Sequence, residues 1–231
     1  MIDGVIFDKD GTLFDFRKSW GAWVLRLLEE VSTDPAQRAT LAQVLGFDAA
    51  RMDFAPDSPV IAHTAPEIAE TLLPVLPGWQ AGPLVDRMNE LAVVVPTVEA
   101  VPLRPLLAVL KGRGLKLGLA TNDTEVPARA HLARHGALDL FDFIAGYDSG
   151  HGGKPAPGQL LAFARQTGLA PGRIAMVGDS RHDLEAGRAA GMVCVAVLTG
   201  VASAEALAPH ADIVLDDIGH LPDWLDGLVP A

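Results

Sequence analysis

The sequence predicts an α/β protein, in which a doubly wound, parallel, Rossmann-like sheet forms the core and an all-helical module is inserted after the first strand. From Val101 onward, helical stretches, single glycines and short apolar runs alternate, whereas residues 16–95 show helical periodicity alone. Alternating strands and helices are typical of doubly wound sheets. Apolar runs with little polar alternation indicate strands that are buried on both faces, as in a parallel sheet.

The first predicted strand is the apolar run Val5-Ile6-Phe7, and Asp8-Lys9-Asp10-Gly11-Thr12 follows it directly. Residues two apart in an extended strand point to the same face, so we expect Asp8 and Asp10 to share one small volume. Open α/β sheets bind ligands at the carboxyl ends of their strands. Neighbouring carboxylates repel each other and are tolerated mainly where a cation or a reaction uses them. The pair therefore predicts a site at this end of the sheet.

Residues 16–95 are predicted to form a helical module, which leaves residues 1–15 and 96–231 as the α/β core. Asp34-Pro35 is typical of an N-cap followed by proline in the first turn, and Gly46 is expected to end that helix. Thr64 with Glu67 fits a capping box. The apolar residues of the first helix recur at helical spacing, and they are Trp20, Trp23, Val24, Leu27, Leu28 and Val31.

Four units of helix, glycine and strand then follow in the core. The predicted helices are 106–113, 128–135, 160–167 and 184–190, and the predicted strands are 115–120, 143–145, 174–177 and 193–197. A glycine directly after a helix supplies the left-handed conformation that ends it. The segment 211–215 is a candidate for one further strand.

Three more polar groups stand at the ends of predicted strands or in loops before helices. Thr121 and Asn122 end one strand, Lys154 lies in a loop rich in glycine and proline, and Asp179 ends another strand with Asp183 one helical turn later. Hydroxyl and amide groups before a helix can bind phosphate, and clustered carboxylates suit Mg²⁺. The alternatives are that residues 121–124 and Asp179 cap helices and that Lys154 is a solvated surface charge.

Composition limits the possible partners. The 231 residues carry a net charge of −11, which argues against nucleic acids and anionic membranes as partners. The N-terminus lacks the pattern of a signal peptide, and no apolar run is long enough to span a bilayer, so we expect a soluble, cytoplasmic protein. The single cysteine, Cys194, is expected to be a buried strand residue. An anionic substrate would need local positive charge from a metal ion or a lysine.

Taken in order, the four polar elements resemble the haloacid dehalogenase superfamily in its phosphatase branch. The resemblance covers residues 2–10 and about 101–199, and the helical insertion is similar to the cap of the phosphoglycolate phosphatase-like subgroup. It implies the strand order 5-4-1-2-3. It also implies a phosphatase for a small phosphorylated metabolite, dependent on Mg²⁺, that works through an aspartyl-phosphate.

The resemblance assigns a role to each matching residue. Asp8 would be the nucleophile, Asp10 the general acid and base, and Lys154 the catalytic cation that balances charge. The phosphoryl group would be bound by Gly11, Thr121, Asn122 and Lys154. The metal would be held by Asp8, the Asp10 carbonyl and Asp179, with Asp183 acting through water or orienting Lys154.

Several alternatives stay open at this point. A phosphomutase of the β-phosphoglucomutase kind would use the same four elements. The alternative that is not an enzyme is a non-catalytic α/β binding module. A dehalogenase proper would lack Asp10. Phosphoglycolate is the best-known substrate of the subgroup, but other small phosphates are hydrolysed by similar proteins. Arg17 and Lys18 are either cap-side contacts for substrate anions or solvated charges, and the chain is either a monomer or a homodimer.

Overall fold

The computed structural model describes residues 1–228. The chain begins with strand β1 (Gly4–Phe7) and continues through the insertion, which comprises α1 (Phe16–Val31), α2 (Pro35–Val44), β2 (Phe47–Asp48), β3 (Asp53–Phe54), α3 (Ala65–Leu72) and α4 (Ala81–Val94). The remaining elements alternate: α5 (Leu103–Gly112), β4 (Lys116–Ala120), α6 (Glu125–Arg134), β5 (Phe143–Ala145), α7 (Gly158–Thr167), β6 (Ile174–Gly178), α8 (Arg181–Ala190), β7 (Val193–Val197), α9 (Ala204–Leu207), β8 (Ile213–Leu215) and α10 (Leu221–Gly227).

The main sheet has six strands in the order β5-β4-β1-β6-β7-β8, and every neighbouring pair is parallel. Counted along the chain without the small β2–β3 pair, and read from β8, the order is 6-5-4-1-2-3. This is the implied order 5-4-1-2-3 with the candidate strand at 211–215 added at one edge. The predicted fold class is confirmed.

Strand β1 lies at the centre of the sheet, where the strand order reverses direction. Phe7, its last residue, pairs with Leu119 of β4 on one side and with Val177 of β6 on the other. At such a point the following connections run to opposite sides and leave a crevice at the carboxyl ends of the strands. The residues that follow β1, β4 and β6 therefore meet at one place.

Both faces of the sheet are buried, as the apolar runs predicted. Val5 and Phe7 pack into the cluster that includes helices α5, α6 and α10, whereas Ile6 packs into the opposite cluster with α7 and α8. This alternation follows from the two-residue period of side chains along a strand. Cys194 is buried in β7, as expected.

Gly118 in β4 is a position where the sheet approaches helix α7 closely. A Cβ atom at this residue would lie 2.8 Å from Cδ2 of Phe163 and 3.1 Å from Cγ1 of Ile6. We expect Gly118→Ala to lower the free energy of unfolding by about 1–3 kcal/mol, because the added methyl overfills this layer. The measurement is urea unfolding followed by circular dichroism.

The matched control for this substitution is Gly82→Ala in the first turn of α4. No heavy atom lies within 4 Å of the added Cβ there, and we expect stability to stay constant or to rise by about 0.4–1 kcal/mol. Equal unfolding midpoints for the Gly118→Ala protein and the wild type would contradict the tight packing of Phe163 on β4.

The insertion has a hydrophobic cluster of its own. The apolar stripe of α1 lies in it with residues of α2, α3 and α4. Asp34 caps α2 by accepting from the amides of Ala36 and Gln37, and Thr64 forms the predicted capping box with Glu67. The boundaries at 15/16 and 95/96 stay a prediction of where this module begins and ends.

One local feature differs from the predicted all-helical insertion. After Gly46, which has a φ of +60°, the chain forms the short antiparallel pair β2–β3. The rings of Phe47 and Phe54 pack 4.9 Å apart across this pair, and Met52 takes a positive φ of 55° in its turn. A pair of two-residue strands has too few residues to show a periodicity in the sequence.

Within residues 1–228, none of the helices is both long enough and apolar enough to cross a membrane.

Candidate active site

A cleft opens at the carboxyl ends of β1, β4, β5 and β6. Its floor comes from the loops after these strands, and its roof comes from the insertion, mainly α1, α3, α4 and the segment before α3. Of the predicted residues, those that line the cleft are Asp8, Asp10, Thr121, Asn122, Lys154 and Asp183.

Asp8 and Asp10 follow the end of strand β1 and directly precede a turn at residues 11–13. Strand β1 ends at Phe7, and the Lys9 carbonyl accepts hydrogen bonds from the amides of Leu13 and Phe14. Both carboxylates line the cleft, as expected. The Asp8 amide donates to the Val177 carbonyl at 2.8 Å, which continues the hydrogen bonding between β1 and β6 by one residue.

Three buried carboxylates converge beside β1 and share one ammonium group. Ligand oxygens of Asp8, Asp179 and Asp183 all lie within 4.8 Å of one another. Lys154 donates to Oδ1 of Asp8 at 2.5 Å and to Oδ1 of Asp183 at 2.6 Å. Three carboxylates against one ammonium leave negative charge uncompensated in a buried place, and this is costly unless a cation compensates it.

Asp179 is held in a cradle of backbone. A Cβ at Gly11, where φ is +87°, would lie 2.3 Å from Oδ2 of Asp179, and a Cβ at Gly200 would lie 1.8 Å from the same atom. The Thr12 hydroxyl donates to Oδ1 at 3.2 Å. Ser180, not Asp179, caps helix α8, so the capping alternative for Asp179 does not apply.

Asp183 joins the start of helix α8 to the lysine. Its Oδ2 accepts from the amide and the hydroxyl of Ser180, at 3.0 and 2.7 Å, in a capping box. Its Oδ1 accepts from Lys154. Both oxygens therefore have partners, which suits a residue that orients Lys154 while contributing charge to the acidic cluster.

Burial dominates the acid–base properties of this cluster. It raises the pKa of Asp8 to about 7, with Lys154 opposing the shift and the charges of Asp183 and Asp10 adding to it. Burial, together with Asp8 and Asp183, raises the pKa of Asp179 well above its usual range. Burial alone would lower the pKa of Lys154, but Asp183 and Asp8 outweigh it and raise that pKa. Ionised Asp8 thus needs positive charge nearby.

Lys154 is aimed by Asn122 and is not a solvated surface charge. The Asn122 side chain accepts from the Lys154 amide and donates to the Lys154 carbonyl, both at 2.8 Å. The side-chain amide of Asn122 also donates to the Ala62 carbonyl of the insertion at 2.7 Å. Asn122 therefore connects the lysine loop to the roof of the cleft.

Thr121 is buried at the end of β4, and its hydroxyl accepts from the Asp123 amide at 3.0 Å. Thr124, and not Thr121, is the N-cap residue of α6, and it makes no side-chain capping bond. Of the segment 121–124, Thr124 therefore occupies the N-cap position of α6, and Thr121 does not. Gln159 donates a hydrogen bond to the Thr121 carbonyl and so stabilises the end of β4.

A second charged network, which the sequence-based prediction missed, lies behind Asp10. The ammonium of Lys9 is fully buried and contacts Oδ2 of Asp123 at 2.5 Å, Oδ2 of Asp10 at 3.2 Å and Nδ1 of His131 at 3.2 Å. His131 contacts the Ala92 carbonyl of α4 through its Nε2. Burial, aided by the Lys9 charge, lowers the pKa of His131 to about 3, so this ring is neutral at pH 7.

Asp10 presents one unpaired oxygen beside the cleft. Among residues 1–228, neither Asp10 Oδ1 nor the indole nitrogen of Trp20 has a hydrogen-bond partner, although both are buried. Burial raises the pKa of Asp10, while Lys9 opposes the rise. A carboxyl group that is buried beside a ligand cleft with one free oxygen is suited to carry a proton.

Neither of the charges suggested as cap-side anion contacts lines the cleft. Arg17 pairs with Asp53 at 2.7 Å and donates to the Gly200 carbonyl, and Lys18 pairs with Asp15. Asp15 also caps helix α1. Trp20 and Trp23 line the cleft and also belong to the core of the insertion.

The donor set fits a small divalent cation. Oxygen ligands alone, buried and with uncompensated negative charge, are what Mg²⁺ prefers over softer ligands. The Asp10 carboxylate is not part of the three-carboxylate group, in keeping with a role for its carbonyl instead.

A family model described as haloacid dehalogenase-like hydrolase matches residues 2–191. The chain is 31% identical to a phosphoglycolate phosphatase of Rhodospirillum rubrum over 97% of this chain and 91% of that protein. It is 29% identical to a phosphoglycolate phosphatase of Neisseria meningitidis over 99% of this chain and 91% of that one. The sequence-based identification of the family is confirmed.

Solved structures share the whole fold at lower identity. A predicted phosphoglycolate phosphatase from Haemophilus somnus superposes with a TM-score of 0.73 at 19% identity, covering 97% of this chain and 98% of that one. A β-phosphoglucomutase from Clostridium difficile superposes with a TM-score of 0.67 at 19% identity, covering 98% and 96%. These likenesses concern the fold alone.

Proposed function

Because this chain belongs to the haloacid dehalogenase-like hydrolase family, we propose that it is a Mg²⁺-dependent phosphatase that hydrolyses small phosphate monoesters through an aspartyl-phosphate. One observation carries the proposal: the ammonium of Lys154 bridges Asp8 and Asp183 beside Asp179 in a buried cleft. The curated relatives include phosphoglycolate phosphatases, so phosphoglycolate belongs in any substrate panel.

Asp8 is placed to act as the nucleophile. Its Oδ1 is held by Lys154, which leaves the second oxygen to attack phosphorus. The lysine charge offsets the repulsion between this carboxylate and a phosphate dianion. Mg²⁺ held by Asp8, Asp179 and the Asp10 carbonyl, with Asp183 acting through water, would offset the negative charge of the phosphoryl oxygens and keep Asp8 ionised.

Asp10 handles the proton in both halves of the reaction. In the first half Asp8 forms a bond to phosphorus, the ester P–O bond breaks, and protonated Asp10 gives its proton to the leaving alcohol oxygen. In the second half Asp10 takes a proton from water, the hydroxide attacks phosphorus, and phosphate leaves with Asp8 regenerated. One group acts as acid and then as base, so it must lie beside the nucleophile.

The phosphoryl oxygens would be bound by groups at the strand ends. Gly11 allows its backbone to approach closely, and Thr121 lies at the end of β4 in the cleft. Asn122 acts mainly through Lys154, since its side chain is occupied by the lysine loop and by Ala62. A mutase would share all of this and would differ in passing the phosphoryl group back to the substrate.

Phosphate release in the presence of Mg²⁺ is the test of this proposal. We expect the purified protein to liberate inorganic phosphate from p-nitrophenyl phosphate and from members of a panel of small phosphate monoesters. Removal of the metal with EDTA should lower the rate by at least about 10²-fold, since metal-ion catalysis contributes several kcal/mol, and added Mg²⁺ should restore it.

Three results would count against the proposal. If no panel member releases phosphate in the presence of Mg²⁺, the protein is not a phosphatase. If the substrate is isomerised without net release of phosphate, the mutase is favoured. A rate that is unaffected by EDTA would show that the reaction does not require a metal ion.

The variant Asp179→Asn should need more Mg²⁺ for half-maximal rate, whereas Asp223→Asn, which changes an exposed carboxylate on α10, should match the wild type.

A further inference from the structure

The roof of the cleft is apolar. We define this apolar roof by six residues of the insertion that line the cleft and are each at most 8% exposed, namely Phe16, Trp20, Trp23, Val60, Ile68 and Met88. Among residues 1–228, the lining that the insertion contributes includes no lysine, arginine, aspartate or glutamate. A leaving group that projects from the phosphoryl site toward the roof therefore meets aromatic and aliphatic carbon.

The floor of the cleft is strongly acidic. Four carboxylates line it, from Asp8, Asp10, Asp123 and Asp183, against the single ammonium of Lys154. That ammonium is already bonded to Asp8 and Asp183. The charge of Lys9 lies behind the floor, fully buried, and is bonded to Asp10 and Asp123. Any positive charge here, including a bound metal ion, serves the phosphoryl group.

The basic side chains near the neck of the insertion are directed elsewhere. Arg17 is paired with Asp53 and Lys18 with Asp15, and neither lines the cleft. His63 and His182 lie at the rim of the cleft, away from the six residues of the apolar roof. Among residues 1–228, Lys154 is the one lysine or arginine that lines the cleft, so a carboxylate directed into the apolar roof would be buried away from any permanent cation, which is unfavourable.

The polar groups that remain can serve one oxygen atom. Asp10 Oδ1 and the Trp20 indole nitrogen are both buried at the cleft, and the indole N–H is near enough to Asp10 to oppose the rise in its pKa. An acid and a neutral N–H that face each other in this way can both contact the ester oxygen of the departing alcohol. Beyond that oxygen the apolar roof begins, so recognition of the rest of the leaving group is by apolar contact.

From this charge distribution we infer that the substrate is a phosphate monoester of an uncharged, mainly apolar alcohol, alkyl or aryl, rather than of a hydroxy acid. The inference rests on the proposed phosphatase function and narrows its substrate class. It departs from the substrate that the names of the curated relatives carry, because those names describe other chains.

A pair of substrates of equal size tests the inference. Isobutyl phosphate and phosphoglycolate have leaving groups with the same branched skeleton, and they differ in whether the two terminal atoms are methyl groups or carboxylate oxygens. With Mg²⁺ at neutral pH, we expect kcat/KM to be at least about tenfold higher for isobutyl phosphate, because an unpaired buried charge costs more than 1.4 kcal/mol. Benzyl phosphate should also be hydrolysed.

A substitution in the roof should change this preference. Asn89 of α4 lines the cleft and is only partly buried, so a longer side chain can be accepted there. We expect Asn89→Lys to raise the ratio of kcat/KM for phosphoglycolate over isobutyl phosphate by about tenfold, the effect of one partly buried ion pair. Asn89→Met, of similar length and without charge, should leave the ratio as in the wild type.

The outcomes separate the inference from the function on which it rests. If no ester, including p-nitrophenyl phosphate, releases phosphate, the proposed function fails. If phosphate is released but phosphoglycolate equals or exceeds isobutyl phosphate, the function stands and the inference is overturned. Equal ratios in the Asn89→Lys and Asn89→Met proteins would overturn the explanation by charge.

Discussion

Replacing Asp8 by asparagine is expected to lower the rate of phosphate release by at least about 10³-fold, because a carboxamide cannot serve as the covalent nucleophile. The shape of the site should survive. The amide oxygen of asparagine can occupy the place of Oδ1 and accept from Lys154, which keeps its second partner, Asp183. The substitution also removes one of three crowded negative charges, so we expect the unfolding free energy to stay near that of the wild type.

The measurement combines steady-state rates with thermal unfolding. Acid quenching during turnover, followed by mass spectrometry, should find a phosphoryl group on Asp8 of the wild-type protein and none on the Asp8→Asn protein. Asp223→Asn makes the same chemical change on the exposed face of α10 and should be fully active. Retained turnover in the Asp8→Asn protein, with deamidation excluded by mass spectrometry, would contradict the covalent mechanism.

The parts of the fold that follow from periodicity were predictable. Apolar runs buried on both faces identified the strands, and glycines at 114, 136, 168 and 191 have the positive φ that ends a helix. The capping box at Thr64 and the N-cap at Asp34 also followed from local chemistry. What the sequence did not reveal is the β2–β3 pair, whose strands are too short to carry a pattern.

The site was predictable only where its residues end a strand. Asp8, Thr121 and Asp179 follow β1, β4 and β6, and these strands are neighbours, so the residues must converge. Lys9 was missed because the interpretation considered only the two aspartates that flank it, while its partners Asp123 and His131 are more than a hundred positions away. A buried lysine needs partners that only the tertiary structure brings together.

The charge of the roof could not be predicted from the sequence either. Arg17 and Lys18 follow Asp8 and Asp10 closely in the sequence, and they were reasonable candidates for contacts with a substrate anion. In the structure Arg17 pairs with Asp53 and Lys18 pairs with Asp15. Helix α1 buries its apolar face in the core of the insertion, so these two charged side chains point away from the cleft. Specificity thus depends on the orientation of one helix, which sequence spacing leaves open.

Replacing Asp10 by asparagine is expected to separate the two halves of the reaction. Asparagine keeps a hydrogen-bond acceptor for Lys9 but can neither give a proton to the leaving group nor take one from water. For alkyl phosphates, which need protonation of the leaving oxygen, we expect the rate to fall by about 10²–10⁴-fold. For p-nitrophenyl phosphate, whose leaving group departs as an anion, the first step should be far less affected.

This difference predicts a burst and a trapped intermediate. With p-nitrophenyl phosphate, Asp10→Asn should release nitrophenolate rapidly in an amount equal to the enzyme and then turn over slowly, because the aspartyl-phosphate on Asp8 lacks its base. Acid quenching and mass spectrometry should find one phosphoryl group on Asp8. Asp123→Asn removes a carboxylate charge from the same lysine, at 2.5 Å, without touching the proton carrier, and it should give neither burst nor intermediate. Equal slowing of alkyl and nitrophenyl esters by Asp10→Asn, without phosphoenzyme, would mean that Asp10 contributes charge or structure rather than a proton.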